Sequence, residues 1–177
     1  MHMVIYAVVP APSRAEALNV ADEVFSGLCG DGEVFDYYTK FDAPGSTVSG
    51  NTRWGNKPGA AKLDTLAGKT MLKQAMDNTI EDFNRTLDKI RAAMPYTNAE
   101  IMEERPSDPN APAINPLSMI RYYMRCAGDN QGPDIHLYSK DGAGINTQVM
   151  LARVLNNYNE PLPDGEALWI VPADVHY

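Results

Sequence analysis

Two short segments repeat an aspartate and a histidine two positions apart. Asp134 and His136 form the first pair, and Asp174 and His176 form the second. Side chains at positions i and i+2 of a strand point to the same face, so each pair presents a carboxylate and an imidazole together. If the two strands are neighbours, the four side chains form a site suited to zinc, manganese or iron. The alternative is structural: each aspartate starts or orients its strand, and each histidine is a half-buried residue that is hydrogen-bonded to a neighbouring residue.

A glycine-rich turn, KDGAGINT at residues 140–147, follows the first pair. It leaves a predicted strand and opens a predicted helix, where free backbone N–H groups can bind an anion and glycines allow close approach. Lys140, Gly142, Gly144 and Asn146 are therefore candidates for binding a phosphate or carboxylate. The competing interpretation is a plain reversal of the chain, because Asp-Gly is a common turn dipeptide.

Arginine and aromatic residues adjoin or alternate in two places. Arg53 and Trp54 are adjacent, whereas Arg121, Tyr123 and Arg125 recur at every second position. These residue types are enriched at protein interfaces, and they can also stack on nucleic-acid bases. The net charge of −8, from 15 Lys and Arg against 23 Asp and Glu, disfavours nucleic acid as a partner. We therefore expect the five residues to contact protein.

The tripeptide Gly68-Lys69-Thr70 matches the end of a phosphate-binding loop, but its surroundings do not. Such a loop has a glycine five residues before its last glycine and follows a buried strand. Leu63 occupies that glycine position, and the segment before it is polar and contains Pro58. We expect this tripeptide to form the entrance of a helix rather than a nucleotide site.

The composition is that of an ordinary globular protein. Of 177 residues, 44% are hydrophobic and 21% are charged. A chain of this length and apolar content can bury a stable core without cross-links. Cys29 and Cys126 have no metal-binding spacing and form no disulfide framework, which favours free thiols in a reducing compartment. No apolar segment is long enough to span a membrane, and no signal peptide is recognisable. The sequence predicts a cytoplasmic protein without membrane contact, with one domain over residues 1–177.

Hydrophobic periodicity predicts two β-α-β units, one towards each end of the chain. The four predicted strands cover residues 4–9, 33–41, 134–139 and 167–177. The helix of the first unit opens with a capping box formed by Ser13 and Glu16, and the helix of the second covers residues 145–157. Because Pro172 lacks a backbone donor, we expect part of the last strand to lie at a sheet edge.

A long amphipathic helix lies between the two units. From Thr70 to Met94 apolar residues recur at spacings of three and four, and Pro95 ends the pattern. A further helix at 116–127 is favoured by Pro116 at its first position, although the alternation in MIRYYMRC is also compatible with a strand.

These elements predict an α+β fold with helices on one face of about four strands. The expected architecture is a two-layer sandwich of ferredoxin-like or related topology, with irregular loops at 42–69 and 105–116. The function favoured is a non-enzymatic binding or assembly domain, either homo-oligomeric or bound to a protein partner, and no cofactor is expected for it. The alternative is a hydrolase of a phosphorylated small molecule, with a divalent metal on the Asp-x-His pairs.

Overall fold

The computed structural model describes residues 1–42, 49–107, 110, 117–129, 131–157 and 161–177. The strands are β1 (His2–Ala11), β2 (Tyr37–Lys40), β3 (Ala61–Lys62), β4 (Leu137–Ser139) and β5 (Ala167–His176). The helices are α1 (Arg14–Leu28), α2 (Asn51–Trp54), α3 (Leu66–Ala93), α4 (Asn98–Glu103), α5 (Ile120–Gly128) and α6 (Gln148–Asn157). The fold is α+β with one long helix, as predicted. None of these helices is long and apolar enough to cross a membrane.

The sheet is mixed, with strand order β2-β5-β1-β4 and with β3 also paired to β5. At its centre β1 and β5 form an antiparallel ladder from His2 opposite His176 to Ala11 opposite Ala167. β4 runs parallel to β1, whereas β2 and β3 run antiparallel to β5. β5 therefore lies between β1 and β2, and β1 lies between β4 and β5. The strand order differs from that of two simple β-α-β units, and the ferredoxin-like topology is not confirmed.

Helices cover both faces of the sheet, because the central strands are apolar on both sides. In β1, odd-numbered residues such as Ile5 and Ala7 share a cluster with α1. Even-numbered residues such as Tyr6 and Val8 share a second cluster with α3 and α6. An unbroken apolar run is the sequence signature of a strand buried on both faces. The predicted two-layer sandwich is therefore wrong, and the described chain has three layers.

Pro172 lies in a central strand, contrary to the edge position predicted. Its partner in β1 is Tyr6, whose N–H donates to the carbonyl of His136 on the β4 side, at 2.8 Å. Since Tyr6 directs its backbone groups away from β5, its antiparallel partner Pro172 directs its nitrogen away from β1. On that side β2 ends opposite Ala173, and β3 begins opposite Ile170. The missing N–H faces the gap between β2 and β3, so no ladder hydrogen bond is lost.

The inner face of α3 is rotated from the predicted one. The buried residues are Gly68, Met71, Ala75, Met76, Thr79, Thr86 and Ala93. Ile80 and Phe83, which belong to the predicted apolar stripe, are 43% and 37% exposed. Small and hydroxyl residues can face inward here because the buried hydroxyls of Thr79 and Thr86 are hydrogen-bonded.

The two predicted loops differ in outcome. In the first loop, residues 43–48 lie outside the described residues. The rest of 42–69 contains α2, β3 and the start of α3, so regular elements form where an irregular loop was expected. In the second loop, residues 108–109 and 111–116 lie outside the described residues, as does the predicted helix start at Pro116. The helical alternative is observed for the segment that follows, since α5 begins at Ile120.

Candidate functional site

A cleft of about 1200 Å³ lies between the second half of α3, α5 and the residue that follows β5. Its walls include Asp82, Lys89, Tyr122, Tyr123, Asp134 and Tyr177. A space of this size holds a small molecule or a peptide segment.

α5 forms one wall of the cleft because it packs against α3. Its only buried residue is Ile120, which joins Leu117 and Ala93 in a small apolar cluster below the end of α3. The rest of α5 is exposed or half-buried. Tyr122 is 39% exposed, and its ring meets that of Tyr123 edge to face with 5.7 Å between centroids. α5 therefore presents an aromatic surface to solvent.

Asp134 lines the cleft as a half-buried carboxyl with one hydrogen bond. The hydroxyl of Thr86 donates to its Oδ2 at 2.5 Å, and no ion pair forms with any cation of the described chain. Burial raises the pKa of Asp134 above its ordinary value, and the charge of Asp82 raises it further. The Thr86 hydrogen bond and the charges of His136 and Arg85 act in the opposite direction. A carboxyl whose pKa is perturbed in this way inside a cleft is a candidate functional residue.

His136 links α3 to the sheet beside this carboxyl. Its Nδ1 lies 2.8 Å from the carbonyl oxygen of Val4, and its Nε2 lies 2.8 Å from Oδ2 of Asp82. Its backbone N–H donates to the Thr79 hydroxyl at 3.0 Å. A carbonyl and an ionised carboxylate only accept hydrogen bonds, so both ring nitrogens of His136 face acceptors. Asp82 is assigned as the acceptor at Nε2.

The electrostatics of Asp82 agree with this assignment. Burial acts to raise its pKa, but the hydrogen bond and charge of His136, with those of Arg85, hold the pKa below its ordinary value. Arg85 lies 2.7 Å from the other carboxylate oxygen. Asp82 is therefore ionised at neutral pH and fully engaged by cations of its own chain.

The second Asp-x-His pair lies elsewhere in the sheet, because β1 separates β5 from β4. Asp174 is buried, accepts from the N–H of Gly50 at 2.8 Å and lies 3.0 Å from Nδ1 of His2. His176 Nδ1 lies 2.6 Å from Asp36. The four predicted ligands therefore do not converge, and no three His, Cys, Asp or Glu side chains of the described ranges are grouped to hold a metal ion. Both pairs have the geometry of the structural alternative.

The glycine-rich turn directs its amides to its own strand. Gly142 and Ile145 donate to backbone carbonyls of β4 at 3.0 and 2.7 Å, and the amides of Asp141 and Ala143 donate to the Ser139 hydroxyl. Gly142 has the positive φ of 72° that this reversal uses. Four amides of the turn, including that of Gly142, are thus engaged within the turn, which agrees with the plain-turn alternative. The other predicted members, Lys140, Gly144 and Asn146, lie in the same turn.

The predicted interface residues fall in two places. Tyr123 and Arg125 line the cleft from α5, where Arg125 Nε lies 3.3 Å from Asp129. Arg121 is exposed on the same helix, whereas Arg53 and Trp54 end α2, away from the cleft lining.

Comparison with known families gives one match, which extends over residues 1–177. The chain belongs to the family described as a domain of unknown function (DUF7995). No curated protein and no solved structure matches the DUF7995 chain.

Several cleft residues of the DUF7995 chain have no motif in the sequence. Asp82 and Thr86 lie on the long helix, and Tyr177 follows the last strand. A signal for the first two exists: Thr79, Asp82 and Thr86 recur at spacings of three and four, which places three polar residues on one helical face. Such a polar stripe on a helix that packs against a sheet indicates buried hydrogen bonds.

The raised pKa of Asp134 makes a prediction for the stability of the DUF7995 chain. Because its folded-state pKa is raised, Asp134 favours folding below the ordinary aspartate pKa, and this contribution is lost as pH rises through the folded-state value. We expect Asp134→Asn to stabilise the chain near neutral pH by up to about 1 kcal/mol, since solvent screens a half-exposed group. Urea unfolding at neutral and acidic pH measures this, and a gain that persists at acidic pH would contradict it.

Proposed function

We propose that this chain is a non-enzymatic binding domain that takes up a segment of a partner protein in the cleft beside α5. The supporting observation is the exposed aromatic wall that Tyr122 and Tyr123 form on a cleft of peptide size. Tyrosine and arginine are enriched among the residues that contribute most to protein binding, and Arg125 adjoins this wall.

The physical basis is the free energy of covering these rings. Aromatic surface exposed to water contributes roughly 25 cal/mol per Å² when a partner buries it. Tyrosine has few rotatable bonds, so ordering it costs little conformational entropy.

The partner is another protein or a second copy of this chain. Because Cys29 and Cys126 are free thiols, we place the domain in the reducing cytoplasm.

We favour binding over metal-dependent hydrolysis because of the strand order. The hydrolase needs Asp134 and His136 beside Asp174 and His176, and β1 lies between the strands that these pairs adjoin. In the glycine-rich turn, the amides of Gly142 and Ile145 donate to carbonyls of β4 and are therefore engaged.

The test is selection of peptides from a random displayed library on the purified chain, followed by NMR titration of the selected peptides. We expect them to shift the amide signals of α5, and we expect the double variant Tyr122→Ala, Tyr123→Ala to lose at least about tenfold in affinity. Phe83→Ala is the control, because Phe83 is an exposed aromatic residue that does not line the cleft. Peptides that bind both variants equally would contradict the proposal.

A further inference from the structure

We propose that the cleft recognises a cation: the ammonium or guanidinium group of a partner's lysine or arginine, bound against Asp134 beside Tyr122 and Tyr177. This inference rests on the proposed function and names the chemistry of the bound segment. Its basis is the pairing of charges inside the cleft.

Asp134 is the cleft aspartate that makes no direct ion pair within the described chain, although the charges of His136 and Arg85 also act on it. The other described aspartates that line the cleft are paired: Asp36 with His176, Asp82 with His136 and Arg85, and Asp129 with Arg125. Asp134 keeps only the Thr86 hydrogen bond. Lys89, a further cation of the cleft, is exposed and makes no ion pair with it among the described contacts. Two carboxylate oxygens have room for more donors than one hydroxyl supplies.

The surrounding rings favour a cation over other ligands. Burial is the main cause that raises the pKa of Tyr122 and of Tyr177. The charge of Asp134 raises both pKa values further, so Asp134 acts on both tyrosines. The phenols are therefore uncharged at neutral pH, and an uncharged aromatic ring near a carboxylate adds cation–π attraction for a cation bound there.

Other ligand classes fit this site less well. An anion placed against Asp134 would be repelled by its carboxylate, whereas the nearby Asp82 is already paired with His136 and Arg85. A purely apolar group would cover Asp134 without replacing its water, which costs free energy. An ammonium group offers three donors and a guanidinium five, so either can replace the water that it displaces.

The cleft is also larger than the cation that we assign to it. Its volume of about 1200 Å³ leaves space beside a single lysine or arginine side chain. Tyr123 and Arg125 line that space. A peptide that carries the cation can therefore also contact Tyr123 and Arg125, which gives it more binding surface than a free amine has.

The experiment compares two peptides that differ only in charge. Acetyl-Gly-Arg-Gly-amide and its neutral citrulline analogue are titrated into the whole chain and followed by NMR. We expect the arginine peptide to bind about tenfold more tightly, because citrulline has nearly the same shape without the charge. Asp134→Asn is expected to remove the preference. Asp77→Asn, a change on α3 outside the cleft lining, is expected to keep it.

Three results would overturn the inference: equal binding of the two peptides, no binding of either at millimolar concentration, or a preference that survives in Asp134→Asn. Agmatine is a small molecule that carries a guanidinium group but no peptide backbone. If it bound as tightly as the arginine peptide, the assignment of the ligand to a protein segment would be overturned. The proposed function fails separately. If library peptides bind the α5 wall without any charge preference, binding stands and cation recognition fails. If no library peptide binds, the binding proposal itself fails.

Discussion

Replacing Gly68 with alanine is expected to destabilise the chain by about 3 kcal/mol or more. Gly68 lies in the first turn of α3, where the helix backbone approaches the residues of β3. An added Cβ would lie 2.0 Å from the carbonyl oxygen of Lys62 and 2.9 Å from the Cα of Leu63. Both contacts are to backbone, so no change of rotamer relieves them and the helix has to move away from the sheet. The measurement is the free energy of unfolding in urea.

Gly27→Ala is the matched control for this substitution. Gly27 is an exposed residue of α1, and no atom elsewhere in the described chain lies within 4 Å of a Cβ added there. Alanine has the higher helix propensity, so we expect a gain of about 0.5 to 1 kcal/mol. The two glycines should therefore give effects of opposite sign. A Gly68→Ala variant as stable as the wild type would show that α3 and β3 do not make this close contact.

The close contact between Gly68 and β3 gives the glycine of Gly68-Lys69-Thr70 a structural role. The tripeptide therefore occurs here without the rest of a phosphate-binding loop. Gly68 allows the helix to pack against β3, and the hydroxyl of Thr65 caps the helix by accepting from the Gly68 N–H at 3.1 Å. Local signals of this kind were readable from the sequence. The N-cap of α1 is one example, because Ser13 Oγ accepts from the N–H of Glu16 at 3.2 Å, which is one of the two hydrogen bonds of the predicted capping box. Such signals depend on residues a few positions apart, so they predict where helices and strands begin.

The arrangement of the strands and of the cleft could not be read in this way. The repeated Asp-x-His pattern places two pairs on or beside strands but does not reveal that β1 separates those strands. The true partners of the three histidines lie far away in sequence: Asp82 is 54 residues from His136, Asp36 is 140 from His176, and Asp174 is 172 from His2. No periodicity links residues at such separations, because the tertiary fold alone brings them together.

Replacing Asp82 with alanine is expected to destabilise the chain by about 2 to 3 kcal/mol. The variant leaves His136, whose side chain is 7% exposed, either as a buried charge or with an unpaired Nε2. Breaking a buried ion pair costs about 3 to 5 kcal/mol, and the 22% exposure of the Asp82 side chain places the effect below that range. Because the pKa of Asp82 is lowered, its contribution is present above the ordinary aspartate pKa and is lost as pH falls through the folded-state value. Urea unfolding at neutral and acidic pH measures both effects.

Asp88→Ala is the control for this prediction, because Asp88 is on the same helix and pairs with Arg91 at the surface with a side chain 74% exposed. We expect it to cost less than about 0.5 kcal/mol. A loss for Asp82→Ala that equals this control, or that does not shrink in acid, would contradict the stabilising role of the Asp82–His136 pair. The cleft provides a further check. The hydrogen bond between Asp82 and His136 ties His136 to α3, and Asp134, two residues before His136, is positioned by the same contact. Asp82→Ala is therefore also expected to weaken the preference of the cleft for the arginine peptide.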